Sequence, residues 1–248
     1  MIYFLNSKSR APFIEAKCVS DPDFLSSVGV NFKDPLLYEA FGNTVNYLGK
    51  MEGRRVIKTH LPFEFLPPQL LDTCKVVYVS RNPKDCAVSF YHHNLNVRSH
   101  GYVGSFEEFL QYFEEGFHVF GSYWHHLMSG WSHRQHPNLK FLWFEDMKKD
   151  QRAAIDDLCE FLDHPLTEDQ KGRLCNHVKF ENMKNNPNTN SSVANKDIPA
   201  EKQFIRKGQV GDWRNHFDKE KNQKWDKWIE TNIKGTGLEN IAHFRQSQ

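Results

Sequence analysis

The 248-residue chain has no long apolar run, few cysteines and almost no charge excess. No stretch reaches the ~18 consecutive apolar residues of a membrane span, so a spanning helix and a membrane partner are not expected. The start, MIYFLNSKSRAP, is only briefly apolar. It has no basic leading segment and no apolar region of roughly 7–15 residues, so it does not read as a signal peptide but as the tail of a helix. The 5 cysteines, Cys18, Cys74, Cys86, Cys159 and Cys175, are scattered and odd in number, with no C-x-x-C spacing. That pattern argues against a disulfide framework or a zinc site and for reduced thiols in a cytoplasmic protein. There are 13 histidines but no H-E-x-x-H. The doublets His92/His93 and His125/His126 fall in helix-like segments where neighbouring side chains diverge, so no metal is expected. A net charge of +1 gives no reason to expect nucleic acid as a partner, and any anion site must come from a local cluster. The chain also lacks G-x-x-x-x-G-K-[ST], an internal repeat and a linker between two cores.

What is present suits a large aromatic core, with 20 Phe and 6 Trp among the residues. Arg54–Thr59, centred on β-branched Val56 and Ile57, reads as a strand. KVVYVS (Lys75–Ser80) is a stronger strand, apolar on both faces as the interior of a parallel sheet requires, and LKFLWF (Leu139–Phe144) is a third. Helical patterns lie between and after them. Asn82-Pro83 opens a helix toward Leu95, with Asn82 as N-cap and Pro83 at the first helical position. Ser105 with Glu108, and Thr167 with Gln170, are capping-box signatures. Phe120–Arg134 is aromatic and suited to packing on a sheet. Ile155, Leu158, Cys159 and Leu162 share a helix face, and a last helix over Asp218–Thr231 carries Trp225, Trp228 and Ile229 on one side. NNPNTNSSVANKDIP is polar and turn-rich, either an exposed loop or a segment ordered by a ligand. Strands alternating with helices predict a single α/β domain over residues 1–248, with a mainly parallel sheet flanked by helices.

Three features carry chemistry. Arg81 stands where the strand KVVYVS ends, and Asn82-Pro83 then starts a helix whose free N–H groups point back at that end. A guanidinium beside a helix N-terminus is an anion site suited to phosphate. Ser89, farther along the helix, adds a hydroxyl donor if the ligand lies along it. The alternative is that Arg81 pairs with Asp85 and Ser89 is an ordinary helix residue, and both readings stand. Arg206-Lys207-Gly208 is a second basic turn in which glycine allows close backbone approach to an anion; taken alone, solvated charge explains it better. Lys58 and His60 are two apart at the end of the first strand, so their side chains leave on one side. One can stabilise a developing negative charge and the other act as a base near neutral pH, although an isolated K-x-H reads more simply as a surface lysine and a strand-end histidine.

Together these residues resemble the cytosolic sulfotransferase family. The matching stretches are KTHLP (Lys58–Pro62), VVYVSRNPKDCAVSFYHH (Val76–His93), FLWFEDMKKD (Phe141–Asp150), VKFENMKNNPNTN (Val178–Asn190), FIRKGQVGDWRNHF (Phe204–Phe217) and KGTGL, in the family's order. The resemblance implies an α/β fold related to P-loop nucleotide kinases. It implies the co-substrate 3′-phosphoadenosine 5′-phosphosulfate (PAPS), no metal, and a small-molecule acceptor hydroxyl such as a phenol, an alcohol or a steroid. His60 falls on the family's catalytic base and Lys58 on the lysine that stabilises the transferring group. Arg81 and Ser89 fall on contacts to the donor's 3′-phosphate, Arg206, Lys207 and Gly208 on a second contact to it, and Phe180 on an aromatic that stacks on adenine. Phe13, Thr59, His93 and Val97 are the implied acceptor-pocket residues.

The departures from the family are specific. Phe144 stands where many members carry a tyrosine that contacts adenine, and Val178 replaces a hydroxyl residue. The dimerisation pattern of the late helix is poorly matched around Arg214–Gln223, which leaves a homodimer open. The family's glycine-containing phosphate loop precedes the segment resembling MIYFLNSKSRAP, and no such motif occurs in this chain. The expectation is therefore a sulfotransferase domain truncated at its N-terminus, with the first strand and the phosphate loop missing and little transfer activity. The alternative is a non-catalytic nucleotide- or ligand-binding remnant. A nucleotide kinase fits less well, because KTHLP and RKG have no kinase role.

Overall fold

Two short apolar runs meet as the described sheet. Strand β1 (Val76–Ser80) and strand β2 (Leu139–Trp143) pair in parallel, with Val76 opposite Leu139 and Ser80 opposite Trp143. Parallel neighbours need a crossover between them, and the helices joining β1 to β2 supply it. The structure is a computed structural model that describes residues 48–50, 52–96, 100–186, 190 and 205–244. Those residues fall into two compact units. The first draws its described residues from Met1–Leu61, Asn94–Val103 and Asn176–Lys207, the second from Pro62–His93, Gly104–Cys175 and Gly208–Gln248.

The described α-helices are α1 (Leu70–Thr73), α2 (Pro83–Asn96), α3 (Phe106–Glu115), α4 (Tyr123–Trp131), α5 (Phe144–Lys149), α6 (Gln151–Phe161), α7 (Glu168–His177), α8 (Phe180–Asn185) and α9 (Lys219–Ile233). Their starts follow the sequence signals. The Glu108 amide donates to Ser105 Oγ (3.3 Å), and Glu108 Oε2 accepts from the Ser105 amide (2.8 Å). Thr167 and Gln170 reciprocate in the same way at α7. Asp150 and Asp218 accept from the amides of Ala153 (2.9 Å) and Lys221 (2.8 Å) at α6 and α9. Each cap satisfies an N–H that the helix itself leaves without a partner. None of the described helices is long and apolar enough to cross a membrane.

In the second unit the buried cluster brings Tyr78 and Leu139 of the strands against Trp124, Leu127 and Trp131 of α4, and Ile229 and Ile233 of α9. A neighbouring aromatic group stacks Phe113 on Trp225 with ring centroids 5.8 Å apart, while Phe217 meets Trp225 edge-on at 5.1 Å. Trp225 is fully buried, as the apolar face of the last helix predicts. The α2–α9 contact is polar at its centre. The side chain of Lys84 is only 2% exposed, and its ammonium pairs with Asp226, lies 2.5 Å from Asn222 Oδ1 and sits 4.4 Å from the Trp213 ring centroid. Burial pushes its pKa down, and Asp226 works against that shift.

The first unit departs from the expectation for Arg54–Thr59. Lys58 alone is a bridge residue, and Val56 and Ile57 are 58% and 47% exposed. Among the described residues no strand runs beside them. Phe13, Val97, Cys18, the segment MIYFLNSKSRAP and most of NNPNTNSSVANKDIP lie outside the described residues.

Helix α4 approaches the sheet closely at Gly130. A Cβ there would lie 2.6 Å from Tyr78 Cδ2 and 2.7 Å from Cζ. The Tyr78 ring cannot easily move aside. Its hydroxyl donates to the His126 carbonyl (2.8 Å) and lies 2.6 Å from His126 Nδ1. Alanine would gain about 1 kcal/mol of helix propensity over glycine, but overpacking a fixed core contact costs ~1–3 kcal/mol or more. Gly130→Ala is therefore expected to destabilise the protein in a urea melt. A more stable variant would mean that the Tyr78 ring yields.

Candidate active site

Strand β1 ends at Ser80, and the next two residues are held from several sides. The Asn82 side chain caps α2 by accepting from the Lys84 amide (2.9 Å), while its Nδ2 donates to the His243 carbonyl (2.5 Å). The Asn82 backbone N–H donates to Glu145 Oε1 (2.8 Å), a carboxylate in the first turn of α5. The Tyr123 hydroxyl, at the start of α4, donates to the Arg81 carbonyl (2.7 Å). Burial holds the Tyr123 pKa well above its ordinary value, so the phenol keeps the proton it donates. Helices α4 and α5 and the short turn over 242–244 thus fix the backbone from which the Arg81 side chain departs.

The guanidinium is oriented as well. Arg81 Nη2 donates to the Gln209 carbonyl (3.0 Å), and its Cζ lies 4.6 Å from the centroid of the Phe144 ring. The face of an aromatic ring attracts a cation and holds its plane. This gives Phe144 a place beside Arg81. Lys148 is a second cation nearby; its pKa is lowered by burial first and then by the charge of Arg81.

The proposed partner of Arg81 in the structural reading, Asp85, is 4.0 Å away. Its oxygens are engaged more closely elsewhere. The Gly211 amide donates to Oδ2 (2.5 Å) and the Trp213 amide to Oδ1 (3.0 Å). Gly211 turns with φ +83, a conformation natural to glycine. Ser89 is four residues beyond Asp85 on α2, on the same helix side, and is half-buried. His93, four further, stacks on Phe90 at 5.9 Å. Gly208, with φ +61, opens the segment that Arg81 and Asp85 hold.

The remaining described candidates belong to the first unit. Lys58 is buried, and Thr59 Oγ1 accepts from the Leu61 amide (3.1 Å), which shapes the turn carrying His60. His60 acts electrostatically on His100, whose pKa is lowered by burial first and then by His60. His100 Nδ1 is 3.0 Å from Asn94 Oδ1. Phe180 begins α8 and is half-buried, with the Lys184 ammonium 5.8 Å from its ring centroid. Arg206 and Lys207 are half-buried. Among the described residues no His, Cys, Asp and Glu group could hold a metal ion.

Sequence reading missed Tyr123, Glu145, Gln209 and Lys148, and gave Asp85 only an ion-pair role. Tyr123, Glu145 and Gln209 act through contacts 42, 63 and 128 residues from their partners, for which no local spacing gives a signal.

A sulfotransferase domain model matches residues 2–237. The human sulfotransferase 1E1 is 41% identical over 199 residues, which is 79% of this chain and 68% of the human protein. Luciferin sulfotransferase from Photinus pyralis is 38% identical over 209 residues, or 81% of this chain and 56% of the firefly protein. Among solved structures, retinol dehydratase in complex with androsterone and the inactive cofactor PAP superposes with a TM-score of 0.82 at 32% identity, covering 94% of this chain and 72% of that one.

Glu145 gives the site a pH signature. It is 6% exposed, and its Oε2 has no hydrogen-bond partner among the described residues. Burial raises its pKa, against the opposing effects of the Asn82 amide, His243 and Arg81. With the folded pKa above the unfolded one, the group favours the folded state most at low pH, and that contribution is lost as pH rises through the folded pKa. Glu145→Gln keeps an acceptor for Asn82 but cannot ionise. In urea melts from about pH 4 to about pH 8, a range starting near the ordinary glutamate pKa, the stability of the variant relative to the parent should climb with pH and then level off. Parallel profiles would mean that Glu145 does not bear a charge penalty.

Proposed function

The chain belongs to the sulfotransferase family, and we propose the residue roles and acceptor class through which it acts. It is an enzyme that transfers a sulfuryl group from PAPS to an acceptor hydroxyl. The observation that carries this reading is the sulfotransferase-domain match over residues 2–237. His60 removes the acceptor proton as the acceptor oxygen bonds to sulfur and the bond from sulfur to the 5′-phosphate oxygen breaks, releasing 3′,5′-bisphosphoadenosine. Lys58 offsets negative charge on the leaving oxygen. Sulfuryl transfer, like phosphoryl transfer, rests on in-line positioning and on donors to charge spread over equatorial oxygens.

Arg81 and Ser89 bind the 3′-phosphate that distinguishes PAPS from common adenine nucleotides, Arg206, Lys207 and Gly208 add a second contact to it, and Phe180 stacks on adenine. The fixed backbone and directed guanidinium of Arg81 support its part, since a donor that needs no reorganisation binds an anion at least cost. Thr59 and His93 line the acceptor pocket, together with Phe13 and Val97, which lie outside the described residues. The acceptor is a small phenol, alcohol or steroid; the androsterone bound to retinol dehydratase supports the steroid end of that range. The free thiols of Cys74, Cys86, Cys159 and Cys175 support a cytoplasmic setting.

Two measurements test these assignments. In an active form of the protein, with PAPS and a panel of simple phenols and steroid alcohols, His60→Ala should lower turnover by ~10²–10⁴ while nucleotide affinity stays nearly unchanged, the usual cost of losing a general base. Turnover close to that of the parent would remove His60 from the mechanism. By calorimetry, Arg81→Ala should weaken 3′,5′-bisphosphoadenosine far more than 5′-AMP, because one charge-assisted contact contributes about 1.5–3 kcal/mol. Equal losses would make Arg81 a structural residue.

A further inference from the structure

A carboxylate beside an anion-binding arginine is electrostatically unfavourable for the anion. Asp85 is such a group: it is 1% exposed, and its Oδ2 is 4.0 Å from Arg81 Nη2. Its position calls for a reason stronger than repulsion. Its two oxygens accept the amides of Gly211 and Trp213, which closes the segment 208–213 onto the first turn of α2. The carbonyl of Gln209 in that segment then receives Arg81 Nη2. Asp85 therefore reaches Arg81 by two routes, one repulsive for an incoming anion and one that builds the support on which the guanidinium rests.

We propose that Asp85 is a positioning residue for recognition of the donor's 3′-phosphate: it holds the turn that carries Gln209 and so sets the direction of Arg81. This rests on the reading of Arg81 as a 3′-phosphate contact. Asp85 touches neither the donor nor the acceptor. Its charge is largely spent on the two backbone donors, which is why a negative group can stand beside the site. The turn also holds itself closely, since a Cβ on Gly211 would lie 2.7 Å from Arg214 Nη1.

The sign of one change separates positioning from charge. Asp85→Asn removes the negative charge but leaves a single carbonyl acceptor, so one of the two amides loses its bond. If Asp85 acted only as a nearby charge, the variant would bind 3′,5′-bisphosphoadenosine more tightly. If it positions Arg81, the preference for 3′,5′-bisphosphoadenosine over 5′-AMP should fall about tenfold, as expected for a charge-assisted contact put out of line. Calorimetry with both nucleotides on the parent, Asp85→Asn and Arg81→Ala reads the ratio, which a general loss of stability would not move. An unchanged or increased ratio in Asp85→Asn, with a collapsed ratio in Arg81→Ala, overturns the proposal alone. An intact ratio in Arg81→Ala overturns the reading of Arg81 and the proposal with it. If Asp85→Asn does not fold, Gly211→Ala takes its place, because it strains the same turn without altering the charge; an unchanged ratio there counts against the proposal. Amide exchange in the unaltered protein gives a check that needs no variant. Gly211 and Trp213 should be protected without nucleotide, and exchange as fast as an open loop overturns the clamp.

Discussion

The N–H of Asn82 comes off the end of β1 at the point where the chain must stop being strand and become helix, and the buried Glu145 carboxylate receives it. Had that amide been left alone in the interior, the turn would carry the desolvation cost of an unsatisfied donor, about 1–3 kcal/mol. Because Glu145 stands in the first turn of α5, just past β2, the bond also ties the turn that follows β1 to the turn that follows β2. The end of a parallel sheet is where α/β proteins gather functional side chains, and here the register of those ends is set by a side chain as well as by the ladder. The direction of α2, the exit of Arg81 and the approach of the 208–213 segment all follow from this one turn.

The same solution recurs nearby with a different carboxylate. Asp85 binds two amides of the 208–213 segment much as Glu145 binds one of the β1 turn. Buried carboxylates are costly unless their oxygens are occupied. Asp85 has both oxygens occupied, whereas Glu145 has one, which agrees with the raised pKa of Glu145. Lys84 completes the pattern with opposite sign: its ammonium is enclosed by Asp226, Asn222 and the Trp213 ring. The stretch Arg81–Asp85 thus places four polar side chains in succession around Pro83, and each is matched to a group from a distant part of the chain. Such an arrangement favours one geometry strongly, since a partial match would leave charges buried without partners.

Much of the framework was legible in advance. VVYVS and LKFLW are strands because consecutive apolar residues suit an enclosed parallel sheet, and Ser105, Thr167 and Asn82 mark helix starts because their side chains reach amides two or three residues ahead. The strand read into Arg54–Thr59 shows the limit of that approach. Val56 and Ile57 have strand propensity, but propensity becomes a strand only where a neighbour pairs with it, and the described residues provide a single bridge at Lys58. Phe144 shows a second limit. By resemblance it is the loss of a polar contact, whereas in the fold it is the ring on which Arg81 lies.

By itself the sequence determined the family through KTHLP, VSRNPKDCAVSF and FIRKGQVGDW, along with the parallel α/β class and the residue types available for base, cation and phosphate contact. Tertiary structure alone decided what those residues face. Asp85 follows Arg81 by four positions, a spacing that suggests an ion pair, yet its nearer partners are amides 126 and 128 residues away. Local signals act within about one helical turn, where the backbone itself fixes the distance. A carboxylate chooses among distant donors only after the strands and helices have packed, and that choice determines where the arginine points.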